Sequence, residues 1–246
     1  MPKQSFPQTS WTAVIRAREA TPDGQRALAL LCEAYWFPVY AFVRRRGTSA
    51  EEARDLVQGF FTRSLLEKNA LASVDRERGT RFRSWLLGCV KNYLRGETAR
   101  ARSAAAGGGI TFESRDAATA EERYRIEPAH HLTPERLYDR AFAESLLERV
   151  LAEVRAKYEA AGKAALFEAL KGTLTASAAL EPYELIGARL GRTEGDVRKA
   201  AFDLRAVYKK NLRAEVGRLV CEPECADPEP LVNEELGYLL AALEDA

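Results

Sequence analysis

Between Arg78 and Arg102 the sequence reads "RGTRFRSWLLGCVKNYLRGETARAR", with cations set among Phe82, Trp85 and Tyr93. No nucleophile with a matching base and no phosphate loop appears in the chain, so it is not read as an enzyme and the chemistry on offer is binding. An arginine neutralises a phosphate and an aromatic ring offers a stacking surface, a combination that suits unpaired bases. Arg76, Arg78, Arg81 and Arg83 gather around Gly79 with Phe82 beside them. At 100° per residue, Ser84, Gly88, Lys91, Arg95 and Arg102 then form a stripe of small and basic residues, where a phosphate backbone could approach closely. A solvated basic face is the alternative for the stripe alone; the arginine-rich loop before it favours binding. Phe82, Trp85, Leu86, Cys89, Val90, Tyr93 and Leu94 keep the rhythm of a buried face, which puts Trp85 in the core.

A second constellation lies in "YELIGARLGRTEGDVRKAAFDLRAVYKK". A short helix from about Pro182 to Leu190 meets a turn at Gly191, and Thr193 caps a second helix. Gly187, Gly191 and Val197 fill the positions where a helix-turn-helix needs a small contact residue, a turn glycine and a branched apolar lock. With Val197, Ala201 and Leu204 inward, Arg198, Lys199, Phe202 and Arg205 face a major groove, alongside the acids Asp196 and Asp203. His130, His131, Cys221 and Cys225 make poor zinc geometry, so no metal and no cofactor is expected.

The elements that must carry these residues are helices. Thr21 and Pro22 open one that runs to Gly47 with a kink expected at Pro38; Ser49 and Glu52 form a capping box for "AEEARDLVQGFFTRSLLEK"; Thr133 and Pro134 open a long helix reaching Gly162. Strand signals are nearly absent. The fold is read as all-α: residues 1–26 an N-terminal helix, 27–102 a first domain, 103–132 a linker without apolar periodicity, 133–220 a second domain with its helix-turn-helix at 182–207, and 221–246 an acidic tail. In that tail Asn233 reads as the cap of a helix presenting Leu236, Leu239, Leu240 and Leu243. Docking on the second domain is the plain expectation; the sharper one is that the tail covers the basic recognition helix in imitation of DNA.

Charge is segregated although 37 Lys/Arg nearly balance 36 Asp/Glu. Residues 41–102 hold 14 bases against 7 acids, residues 189–218 hold 9 against 4, and from Glu222 onward there are 8 acids and no base. Two basic patches are what a polyanion would meet. The four cysteines make no disulfide framework, the N-terminus has no signal-peptide core, and the longest apolar run carries Glu33 and Pro38, so a cytoplasmic protein without a membrane partner is expected.

Taken in order, "YWFPVYAFVRRRG", "SAEEARDLVQGFF", "RFRSWLLGCVKNYL", "AGKAALFEALK" and "YELIGARLGRTEGDV" resemble bacterial sigma factors of the extracytoplasmic-function type, within the primary-sigma-related family. The resemblance runs from about Trp11 to Leu243. It implies two small helical domains, regions 2 and 4, joined by a long linker that threads toward the polymerase active-site channel. Region 2 would use Asp55, Leu56, Gln58 and Phe61 to dock the β′ clamp helices of core RNA polymerase, a contact the residues alone leave open as mere amphipathicity. It would open the minus-10 element with Arg76, Arg78, Arg81, Phe82, Arg83, Lys91 and Arg95, and its loop at 69–81 would capture a flipped base. Region 4 would read the minus-35 element through Thr193, Arg198, Lys199, Phe202 and Arg205. The β subunit, promoter DNA and an anti-sigma factor are the further partners the resemblance implies. Gly59, where such factors commonly carry Glu, and Asp203, where a basic residue is common, depart from the pattern. A helix-turn-helix regulator acting without polymerase, and a sigma-like protein-interaction module, are the competing readings.

Overall fold

The computed structural model describes residues 17, 21–67, 71, 81–103, 117–126, 132–174, 181–220 and 227–244. All regular structure among them is helical: α1 (Pro22–Arg45), α2 (Ala50–Gly59), a π-helical segment (Phe60–Glu67), α3 (Phe82–Ser103), α4 (Ala117–Ile126), α5 (Pro134–Ala160), α6 (Ala164–Leu170) with a 3-10 turn (Lys171–Leu174), α7 (Tyr183–Leu190), α8 (Glu194–Val220) and α9 (Glu229–Glu244). The chain divides into two compact units, residues 1–145 with 218–246, and residues 146–217. The division therefore falls inside α5 rather than in the stretch 103–132.

In the first unit α1 is the central helix. Thr21 Oγ1 accepts from the Gly24 amide at 3.0 Å with Pro22 in the first turn, and the helix ends before Gly47, whose φ of +92° suits a residue without a side chain. It continues through Pro38 and runs unbroken across position 26, so the domain boundary expected there is absent. By length and composition α1 could cross a membrane. Its apolar residues are instead consumed by packing: Leu31, Tyr35, Val39, Tyr40 and Phe42 are all at most 2% exposed. Tyr35 stacks on Phe142 of α5 (5.2 Å) and meets Phe82 of α3 edge-on (5.4 Å), while Tyr138 of α5 donates to the Arg83 carbonyl at 3.1 Å. Ser49 caps α2 by accepting from the Glu52 amide at 3.1 Å, as its capping box predicts. The helix expected to run on evenly through "FFTRSLLEK" changes to π geometry at Phe60.

The predicted linker contains a helix. In α4, Ala120 and Glu121 are buried; Glu121 accepts from the Tyr40 hydroxyl at 2.5 Å and pairs with Arg44 at 2.9 and 3.0 Å, and Arg123 lies 4.0 Å over the Phe37 ring. Arg44 above all, with Tyr40 and Arg125, holds the Glu121 carboxyl down at about 2 against burial. Polar anchoring of this kind leaves no apolar periodicity to read.

The second unit packs Val154 of α5, Leu166, Phe167 and Leu170 of α6, Ile186 of α7, and Val197, Ala201 and Leu204 of α8 into one cluster. Gly191, at φ +64°, ends α7. A β-carbon on Gly187 would sit 2.7 Å from the Arg192 carbonyl oxygen, so the chain can turn there only over a bare Cα.

Candidate nucleic-acid and protein interfaces

The solvent-facing side of α2 exposes Asp55 and leaves Leu56 and Gln58 half-buried. Phe61 is not part of it. It is 1% exposed, stacked on Trp36 at 5.7 Å and edge-on to Phe60 at 5.2 Å, so its expected place on a polymerase-binding surface is corrected to the core. Asp55, Leu56 and Glu52 line a shallow groove with Arg63 and Glu97, two residues that sequence reasoning did not single out. Arg63 Nη2 donates to the Tyr93 hydroxyl at 2.8 Å and lies 3.5 Å from Glu97. Gly59 underlies this arrangement, because a β-carbon there would collide with that hydroxyl.

On α3 the buried stripe is largely as the periodicity predicts: Phe82, Leu86, Val90, Tyr93 and Leu94 are buried, while Trp85 and Cys89 are partly so. Phe82 stacks on Trp85 at 5.4 Å and is 8% exposed, so it is a core ring here and offers no face to a base. On the opposite stripe Ser84 and Arg95 are exposed, and Arg95 reaches Asn92 at 3.4 Å. Lys91 is already paired with Glu135 of α5 at 2.9 Å, and that contact draws the Glu135 carboxyl below its usual range. Arg83 is 4% exposed, which removes it from any open surface in this arrangement. Arg76, Arg78, most of the loop 69–80, and all four zinc candidates lie outside the described residues.

In the second unit Thr193 Oγ1 accepts from the Asp196 amide at 3.1 Å, and the Asp196 carboxylate accepts from the Thr193 hydroxyl at 2.7 Å. Asp196 is thus a capping residue, and these bonds lower its pKa. Arg198, Lys199, Phe202 and Arg205 all face solvent, with Phe202 67% exposed and Arg198 pairing with Glu194 at 2.6 Å. An exposed phenyl among cations is a feature of this surface that core packing does not account for.

Compared with known families, residues 31–103 match the model described as Sigma-70 region 2. The match opens within α1 and closes at the last residue of α3, so it covers the helices that carry Asp55, Gln58, Lys91 and Arg95. Residues 31–103 form a Sigma-70 region 2 domain. Such a domain binds and does not catalyse, and no cluster of three His, Cys, Asp or Glu side chains able to hold a metal occurs among the described residues. No curated protein and no solved structure matches the chain.

The acidic tail packs within the first unit, against Arg81 and Arg83 of the stretch 27–102 and against Asp139 of the stretch 133–220 on which docking was expected. Asp227, not Asn233, supports the start of α9, accepting from the Glu229 amide at 3.3 Å. The inward residues are Val232, Glu235 and Leu239; Leu240, expected to dock, is 56% exposed. At the first turn of α3, Arg81 Nη2 pairs with Glu234 at 2.6 Å and Arg81 Nε with Glu235 at 2.9 Å. Arg83 pairs with Glu235 through Nη1, stands 3.6 Å from Asp139 and lies 4.3 Å from the Tyr238 ring centroid. Tyr238 donates to Asp139 at 2.8 Å. Burial raises the Asp139 pKa against that bond and the nearby arginines. The tail's ion-pair partners are thus arginines of the region 2 domain, which corrects the expectation that it covers the recognition helix.

Proposed function

We propose that the chain is a sigma factor of the extracytoplasmic-function type, which binds core RNA polymerase in the cytoplasm and directs promoter recognition and melting. The observation that carries this is the region 2 match over 31–103, on helices that present an acidic and polar α2 face and a basic α3 stripe. On this reading Asp55, Leu56 and Gln58 dock the β′ clamp helices, and Arg95 and Lys91 hold the displaced strand, whose phosphates need cations and no sequence code. The α7–α8 pair reads the minus-35 element as a region 4, with Thr193 at the phosphate-facing helix start and Arg198, Lys199 and Arg205 toward the groove. Phe202 is suited to a thymine methyl.

The test is retention of the purified chain on immobilised core polymerase, followed by melting of a promoter template. Wild type should be retained and should prefer a pre-opened bubble over closed duplex. Asp55→Ala with Gln58→Ala should lose retention while the chain keeps its helical content and melting temperature. Failure of the wild type to bind polymerase or to prefer the bubble overturns the proposal; duplex binding alone would point to a regulator that works without polymerase.

A further inference from the structure

We propose that α9 is a built-in acidic competitor for the polyanion that the region 2 domain takes up, holding Arg81 and Arg83 until single-stranded DNA displaces it. This rests on the reading of the domain as a DNA-binding one. The two guanidiniums meet only a part of the chain when α9 is docked: Glu234 and Glu235 occupy Arg81, and Glu235 with Asp139 occupies Arg83. A guanidinium fork takes a carboxylate or a phosphate in the same geometry, so a strand of DNA and the α9 acids compete for the same donors.

Three features distinguish this contact from a helix that merely completes a core. Its apolar seam is thin, with Val232 and Leu239 buried while Leu231, Tyr238 and Leu240 remain 39–56% exposed. The centre of the seam is a buried ion pair, which for stability alone is a poor choice beside apolar residues of the same volume. The pair is also imperfectly matched, since Arg83 Nη2 is buried without a hydrogen-bond partner, a cost that undocking relieves. Arg81, 35% exposed at its side chain, gives an arriving phosphate its first foothold. Once Glu234 and Glu235 are exchanged for phosphates, Arg83 has no anion left from α9 and the helix loses its polar anchor.

The experiment uses the full chain, Glu234→Gln with Glu235→Gln, and a chain ending at Val220, each titrated against a fluorescently labelled single-stranded oligonucleotide over a series of NaCl concentrations. Glutamine keeps the side-chain shape and can still accept from arginine, so the double variant guards against misfolding of the truncated chain. Both altered chains should bind more tightly than wild type, and the gap should narrow as NaCl rises, because in wild type salt also weakens the α9 pairs that the strand must displace. Amide exchange across α9 in the wild type should accelerate when the oligonucleotide is added. Equal affinity and slope in all three chains, with α9 still protected in the presence of the oligonucleotide, would make α9 a fixed part of the fold and overturn the inference while leaving the DNA-binding reading intact. If none of the three chains binds the oligonucleotide, both fail together.

Discussion

Gly59 and Tyr93 set how closely α3 approaches the end of α2. Any β-carbon at 59 meets the Tyr93 hydroxyl and the Arg63 guanidinium it is bonded to, so Gly59→Ala should cost about 1–3 kcal/mol in urea unfolding, the usual range for overpacking. Tyr93→Phe in the same chain should recover part of that loss, because the colliding atom is the hydroxyl; no recovery would reject this account. At a position where the resemblance leads one to expect glutamate, the Tyr93 hydroxyl and the Arg63 guanidinium as they sit leave no room for a β-carbon. Glu121 gives a second residue-scale prediction, this time in pH. Its carboxyl is held at about 2 in the folded chain against an ordinary 4.5, so its contribution is fully present above 4.5 and disappears as the pH falls from there through 2. Glu121→Gln should therefore cost about 1–2 kcal/mol at pH 7, and the gap between variant and wild type should close in acid. A gap that widened on acidification would have the wrong sign.

At the scale of elements, local signals were legible and long-range ones were not. Thr21, Ser49, Thr133 and Thr193 each cap the helix the sequence assigns to them, because a cap is written within three residues of its partner. The α7–α8 turn is legible for the same reason. It yields its own prediction: Gly187→Ala drives a β-carbon against the Arg192 carbonyl, and should lower the unfolding free energy of the second unit by about 1–3 kcal/mol and weaken duplex DNA binding with it. Unchanged stability would mean the turn can open at little cost. The helix α4 stayed hidden because Glu121 finds Tyr40 81 positions away. The leucine pattern of α9 misleads for a related reason: Arg83, far off in sequence, turns Glu235 inward and Leu240 out. In the candidate site, aromatic type misled where periodicity did not. Phe82 lies on the buried stripe by its spacing, and that spacing prevailed over its apparent fitness for stacking on a base.

For the whole molecule the deciding quantity is which cations are free to meet a polyanion, and a count of basic residues overstates it. Of the cations expected on the minus-10 surface, among the described residues Arg81 and Arg83 are paired with α9, Lys91 is paired with Glu135, and Arg95 faces solvent beside Asn92. A cation that must first leave a carboxylate gives back part of the binding free energy, and because salt also weakens the pair it leaves, its net share of the salt dependence is smaller than that of a cation that starts in water. Arg95→Gln should therefore lower the salt slope of bubble-template binding by about 0.7, one single-strand phosphate contact, while Lys91→Gln lowers it by less. Changing Glu135→Gln should release Lys91 and restore its full share, so that Lys91→Gln in a Glu135→Gln chain matches Arg95→Gln. Equal slopes for the two single variants in the otherwise native chain would mean that the Glu135 pair breaks without cost, and that internal ion pairs do not ration the basic surface of this domain.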